Sequence, residues 1–111
     1  MEPEEFRPDT FTALVRAGVV TALLPASEEK SEALMTSVAF AVREGATAAE
    51  ALRAVTLTPA EILGVADRVG SLAPGKDADL VVLSGEPHLV ATRVEKVMVD
   101  GRWVFGENAD R

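Results

Sequence analysis

The sequence predicts an α+β fold, with helices in the first part of the chain and strands in the second. Residues 9–64 contain apolar residues at helical spacing and two Thr-x-x-Glu capping patterns. From about residue 69 the chain has short runs rich in β-branched and aromatic residues, which favour strands. We therefore expect a mainly helical segment over 1–68 and a β-rich segment over 69–111.

The first predicted helix ends at about Arg16. Asp9 or Thr10 can serve as its N-cap, and Gly18 is available as its C-terminal stop. The run VVTALL at 19–24 that follows is short and continuously apolar, which is typical of a buried parallel strand.

A second, longer helix is predicted after Ser27. Glu28 and Glu29 lie where carboxylates interact favourably with the positive end of a helix. An apolar stripe at i, i+3, i+4, i+7 then runs to a stop before Gly45. Its members are Met35, Val38, Ala39 and Val42.

Two shorter helices are predicted from capping boxes, TAAE at 47–50 and TPAE at 58–61. In each, threonine would be the N-cap and glutamate the third helical residue. The second box also places Pro59 at the first helical position, where its missing N–H costs nothing. Gly64 is expected to end that helix.

Three strands are predicted in the second part: LVVL at 80–83, RVEKVMV at 93–99 and RWVF at 102–105. The apolar alternation of the middle run is imperfect, as in a strand with a bulge or a solvent-exposed edge. Asp100-Gly101 is a strong signal for a two-residue hairpin turn between the last two strands.

Composition excludes several classes of protein. The 111 residues carry a net charge of −7 without a Lys/Arg cluster, which argues against nucleic acid or an anionic membrane as partner. No apolar run approaches the ~18 residues that span a bilayer, and the acidic N-terminus is unlike a signal peptide. The absence of cysteine excludes disulfides and fits a cytoplasmic location.

Two compositional biases lead to further expectations. With 48% hydrophobic residues in a small chain, we expect part of the surface to contact a partner or a second copy. The chain has no Gln, a single Asn and more Arg than Lys. Depletion of thermolabile residues points to a thermophile, although a GC-rich genome produces a similar bias.

A search for catalytic groups finds few candidates. His88 is the only histidine and is predicted to be a solvated loop residue; a zinc site within this chain would depend almost wholly on carboxylates, which zinc rarely uses. Asp77 and Asp79 could be a carboxylate pair for acid–base work or Mg²⁺. Because Pro74-Gly75 supplies a turn and Leu80 begins a strand, we favour a turn role for the first and strand-entry hydrogen bonds for the second.

The second part of the chain resembles the C-terminal end of the metal-dependent amidohydrolase superfamily, especially imidazolonepropionase-like and cyclic-amide-hydrolysing members. Three elements carry the resemblance, in order: T-x-x-P-A-x-x-L-G (56–64), GSLAPGKDADLVVL (70–83) and V-x-V-D-G (97–101). The resemblance implies a partial fold: residues 19–24 as the last strand of a (β/α)₈ barrel, 28–44 as its helix, and 69–105 as strands of the small β-sandwich.

The resemblance also implies a divalent metal, typically zinc, held by histidines, often a carboxylated lysine, and an aspartate after the last barrel strand. That aspartate is missing, since Pro25, Ala26 and Ser27 follow the run VVTALL. Glu28 or Glu29 could replace it only in a shifted register. A barrel also needs about 250 residues. We therefore assign no catalytic, cofactor-binding or metal-binding residue in this chain.

Two hypotheses follow. The chain could correspond to the C-terminal part of a hydrolase acting on C–N bonds of amides or cyclic amides by metal-activated water, inactive alone and completed by a larger subunit. Alternatively, it could be a non-catalytic module that keeps this fold segment and self-associates to cover its open strand edges. Neither hypothesis requires nucleic acid or a membrane.

Overall fold

The computed structural model describes residues 10–25 and 33–106. Within them it contains four helices and three strands. The helices are α1 Thr10–Arg16, α2 Ala33–Arg43, α3 Ala48–Arg53 and α4 Leu57–Leu63; the strands are β1 Leu80–Leu83, β2 Val94–Val99 and β3 Arg102–Phe105.

The predicted α+β class is confirmed, because the described helices all precede the described strands. The three strands form one antiparallel sheet in the order β1-β2-β3, and the described residues do not close into a barrel. No helix in the described parts of the chain is long and apolar enough to cross a membrane.

The core lies among the helices and is built mainly from alanine. Small side chains let helices approach closely, and α2 packs against α3. Val38, at 1% exposure, is the largest fully buried side chain in the described residues. The apolar residues of this core are Phe11, Ala33, Val38, Ala41, Ala46, Ala51, Ala54 and Ala60.

The helix predicted after Ser27 is confirmed from Ala33 to Arg43; its predicted start, with Glu28 and Glu29, lies outside the described residues, as does Asp9. The predicted TAAE capping box is also confirmed. The Thr47 hydroxyl accepts from the Glu50 N–H at 3.0 Å, and the Glu50 carboxylate accepts from the Thr47 N–H at 2.9 Å.

The predicted start of α4 is wrong, although its end at Gly64 is confirmed by a left-handed φ of 77°. The helix begins at Leu57, so Thr58 lies inside its first turn and is buried, and Pro59 is the third helical residue. The first four N–H groups of a helix have no internal acceptor, so proline is tolerated there as well. Thr56 occupies the N-cap, but its hydroxyl donates back to the Leu52 carbonyl at 2.8 Å.

The predicted strand over 19–24 is not formed. A strand needs a neighbouring strand for its backbone groups, and this segment meets helices instead. The Leu23 N–H donates to the Ala54 carbonyl at 3.0 Å, and the buried Ser37 hydroxyl donates to the Leu24 carbonyl at 2.6 Å. The segment is therefore tied to α2 and to the end of α3.

The predicted hairpin and irregular strand are both confirmed. Asp100 and Gly101 have φ values of 53° and 79°, the two positive angles of the turn type whose twist suits a hairpin. Between the pairs Val82–Lys96 and Leu83–Val94, β2 has one extra residue, Glu95, so this register shift places a bulge in β2 opposite β1. No strand residue is fully buried, so the sheet contributes nothing to the core described above.

Candidate functional site

Asp77 and Asp79 lie where the loop after α4 enters β1, and each has a separate structural partner. The Asp79 carboxylate accepts from the Asp100 N–H at 2.7 Å, which joins the start of β1 to the hairpin turn. The Gly101 N–H donates to the Ala78 carbonyl at 3.0 Å beside it. The strand-entry hydrogen bond predicted for Asp79 is therefore present.

Asp77 closes the loop by two contacts with Arg68. Its N–H donates to the Arg68 carbonyl at 2.8 Å, and its carboxylate accepts from the Arg68 guanidinium at 2.9 Å. The hydrogen bond and charge of Asp77 raise the pKa of Arg68. Asp77 and Asp79 bind different partners. Each carboxylate therefore connects two segments of the chain, which is a structural role.

The environment of His88 differs from the prediction, which was a solvated loop residue. It does lie in a turn, at residues 87–91, but it is half-buried and its Nδ1 is shielded from solvent without a hydrogen-bond partner among the described residues. A shielded nitrogen without a partner costs free energy. The prediction missed this because the turn and α2, which lies about fifty residues earlier in the chain, line the same groove, and a local sequence pattern does not show that.

His88 lines an open groove of about 630 Å³ between α2 and the 87–91 turn. We call it the α2 groove. A smaller groove of about 360 Å³ adjoins it and adds Phe40 and Arg43. The lining of the α2 groove is mainly apolar and includes Met35, Ala39, Leu83, Leu89, Val90 and Val94.

The described residues do not fit the metal implied by the family resemblance. Among them, no group of three or more His, Cys, Asp or Glu side chains is placed to hold a metal ion. Pro25 ends the 19–24 segment on an exposed site, and Ala26, Ser27, Glu28 and Glu29 lie outside the described residues. We therefore derive no catalytic step through a metal held by this part of the chain.

The clearest electrostatic feature was not predicted. The Arg16 guanidinium, at the end of α1, donates to both carboxylate oxygens of Glu50 in α3, at 2.8 and 3.1 Å, and to the Gly45 carbonyl at 3.2 Å. The Arg16 hydrogen bond, followed by the Thr47 N–H, lowers the pKa of Glu50 to about 2. This ion pair connects α1 to the start of α3, so its role is structural.

Comparison with known proteins identifies the class. A model of the amidohydrolase family matches residues 14–104, which is most of the chain. The chain therefore belongs to the amidohydrolase family, as the resemblance predicted.

Individual relatives and solved structures agree with this assignment. The chain is 44% identical over 64 residues to adenine deaminase of Moorella thermoacetica, covering 58% of this chain and 10% of that protein. It is 51% identical over 41 residues to imidazolonepropionase of Thermoplasma acidophilum, covering 37% and 10%. A crystal structure of an amidohydrolase from Thermotoga maritima superimposes with a TM-score of 0.83 and 40% identity, over 92% of this chain and 27% of that one.

The share of each relative that this chain matches shows how much of the fold is present. The chain spans about a tenth of the length of these curated relatives and about a quarter of the solved amidohydrolase. It therefore corresponds to a part of the amidohydrolase fold.

Proposed function

We propose that this chain is the C-terminal part of a metal-dependent hydrolase acting on C–N bonds of amides or cyclic amides, and that it is inactive alone. The observation that best supports this proposal is the superposition on the Thermotoga maritima amidohydrolase. It covers almost all of this chain but only about a quarter of the amidohydrolase chain. The similarity to an adenine deaminase and to an imidazolonepropionase supports the same family of reactions.

The side chains of this part of the fold support inactivity. The whole sequence has one histidine and no cysteine, and the described residues form no group of three metal-ligating side chains. Asp77 and Asp79, the nearest to a catalytic pair in sequence, bind Arg68 and the hairpin turn instead. The ligands and the substrate pocket would then have to come from outside this stretch of sequence.

Metal loading and activity of the purified chain test this proposal. We expect that the chain, incubated with Zn²⁺ and freed of excess ion, retains substoichiometric zinc and hydrolyses neither adenine nor simple cyclic amides. His88→Ala is the matched control, because it removes the only histidine and should leave both results unchanged. One zinc per chain together with turnover that a chelator abolishes would refute inactivity.

A second candidate function is a non-catalytic module that self-associates. The observation in its favour is the amount of large apolar surface that the described residues leave exposed, on the helices, on the loops and on the sheet. Such surfaces on a soluble chain mark contact sites or aggregation hazards.

Native mass spectrometry of the chain purified from its own cells separates the two candidates. A complex with a larger, metal-bearing subunit supports the split hydrolase. A metal-free assembly of identical chains supports the self-associating module and removes the need for a catalytic partner.

A further inference from the structure

We propose that the α2 groove and the 87–91 turn beside it form a dimer interface between two copies of this chain. The inference rests on the second candidate function, self-association, and names the surface responsible. Three properties of this face carry it: its shape, its area and its charge.

The shape is self-complementary, because an apolar projection lies next to an apolar recess. Val90 is fully exposed at the tip of the turn, and Leu89 beside it is half-exposed. The turn is held by its own hydrogen bonds, from the Thr92 hydroxyl to the Glu86 carbonyl at 2.6 Å and from the Thr92 N–H to the Leu89 carbonyl at 3.1 Å. It can therefore present Val90 without ordering a flexible segment on binding.

This juxtaposition suits a closed dimer. In a two-fold arrangement the same patch is used on both copies, so Val90 of each would enter the α2 groove of the other. Both contacts form together and the assembly stops at two. A projection and recess on opposite sides of the chain would instead produce rings or open-ended filaments.

The available area suits a stable dimer. Burying the exposed parts of Phe40, Leu89, Val90 and Val94 would remove on the order of 500 Å² from each copy, given that a single aromatic side chain buries 150–250 Å². A standard interface needs about 800 Å² per partner. The groove walls, including Met35 of α2, can supply the remainder.

The charge distribution of this face suits a contact between two copies. Two copies of a chain with a net charge of −7 repel each other, so a contact is easiest where carboxylates are absent. Neither groove is lined by Asp or Glu; Arg43 lines the smaller one, with the Glu44 carboxylate 4.0 Å from its guanidinium.

Substitution of Val90 tests the interface by sedimentation of the full chain over a concentration series. We expect the wild-type chain to dimerise and Val90→Asp to raise the dimer dissociation constant about tenfold or more, as for a central interface residue. Leu72→Asp, a change at another exposed site in the loop closed by Arg68 and Asp77, is the matched control and should leave dimerisation intact.

Cysteine labelling provides a second measurement, because the natural chain has no cysteine. Maleimide should modify the Val90→Cys variant more slowly as protein concentration rises, whereas modification of the Leu72→Cys variant should not depend on concentration. A wild-type dimer, combined with concentration-independent labelling of Val90→Cys and unaltered dimerisation of Val90→Asp, would overturn this interface while leaving self-association standing. A strictly monomeric wild-type chain would overturn both.

Discussion

The helical and β parts of this chain are held together in different ways. The helices share a core in which Val38 and several alanines are buried. The sheet has regular pairing and a well-formed hairpin, yet every strand residue retains some exposure, and Val81, Val99 and Phe105 are about half-exposed. The helical part thus makes its own core, whereas the sheet is defined chiefly by backbone hydrogen bonds.

This difference shows what part of a larger fold can do by itself. Local rules such as caps, turns and strand pairing operate within short segments, so they persist without neighbours. Burial of a sheet face needs a second layer packed against it. The exposed sheet is therefore a place where a second packed layer would add stability.

The largest expected effect is at the connection between the two parts, at Gly70. A Cβ there would lie 2.7 Å from the Ala60 Cβ and 3.1 Å from the Leu57 Cα, at a φ of 100° that only glycine adopts readily. We expect Gly70→Ala to lower the free energy of unfolding by about 3 kcal/mol, through overpacking and backbone strain together. Urea unfolding followed by circular dichroism measures it.

Gly75→Ala is the matched control for Gly70. Its φ of 91° is similar, but its Cβ would meet nothing within 4 Å. We expect a loss of about 1 kcal/mol from backbone strain alone. Equal losses at the two positions would show that the close approach of the loop to α4 contributes nothing.

A pair of truncations compares the two parts directly. Val38→Ala removes buried methyl groups from the helical core and should cost about 2 kcal/mol, including the cavity term. Val81→Ala makes the same change on a sheet residue that is 53% exposed, and should cost roughly 0.5 kcal/mol. An equal or larger loss at Val81 in the monomeric chain would show that the sheet is packed as tightly as the helical core.

The smallest expected effect is the pH dependence of the Arg16–Glu50 contact. The pKa of Glu50 is lowered to about 2 from an ordinary 4.5 in the folded chain. Its ionised form therefore stabilises the fold above about pH 4.5, and this contribution is lost as the pH falls from there towards 2.

The test for Glu50 is the melting temperature of wild-type and Glu50→Gln chains between pH 7 and pH 2.5. The variant should melt lower at neutral pH and should lose less on acidification. Glu61→Gln removes a carboxylate that lies at a longer 3.4 Å from the Arg53 guanidinium; it is the control and should lower the melting temperature at neutral pH less. Identical profiles for wild type and Glu50→Gln would refute the stabilising role of this pair.

Local features of the fold could be predicted from the sequence. The Thr47–Glu50 box, the Gly64 cap and the Asp100-Gly101 turn each depend on residues a few positions apart, so their patterns carry the full physical reason for the structure. The order of three motifs also predicted the family correctly. The family can be recognised from the order and spacing of these motifs in the sequence, without knowledge of which residues are in contact.

Features that depend on distant residues could not be predicted. Thr56 and Thr58 both suit an N-cap by local chemistry, and Thr58 is instead buried within the helix. The apolar run at 19–24 matches the pattern of a strand. A strand forms only by pairing with another strand, and the described residues place no strand beside this run. The α2 groove joins residues on α2 to a turn some fifty positions later, so neither its shape nor the shielding of His88 is visible in a local pattern.

Hydrogen exchange of the isolated chain, read by mass spectrometry at a concentration where it is monomeric, tests the central contrast most directly. Amides of α2 and α3 should exchange at least about tenfold more slowly than those of β1 and β3, because the helices have a buried core and the sheet lacks a covering layer. Equal protection across helices and sheet, lost in one cooperative step, would contradict the account and show that the sheet is stabilised within this chain.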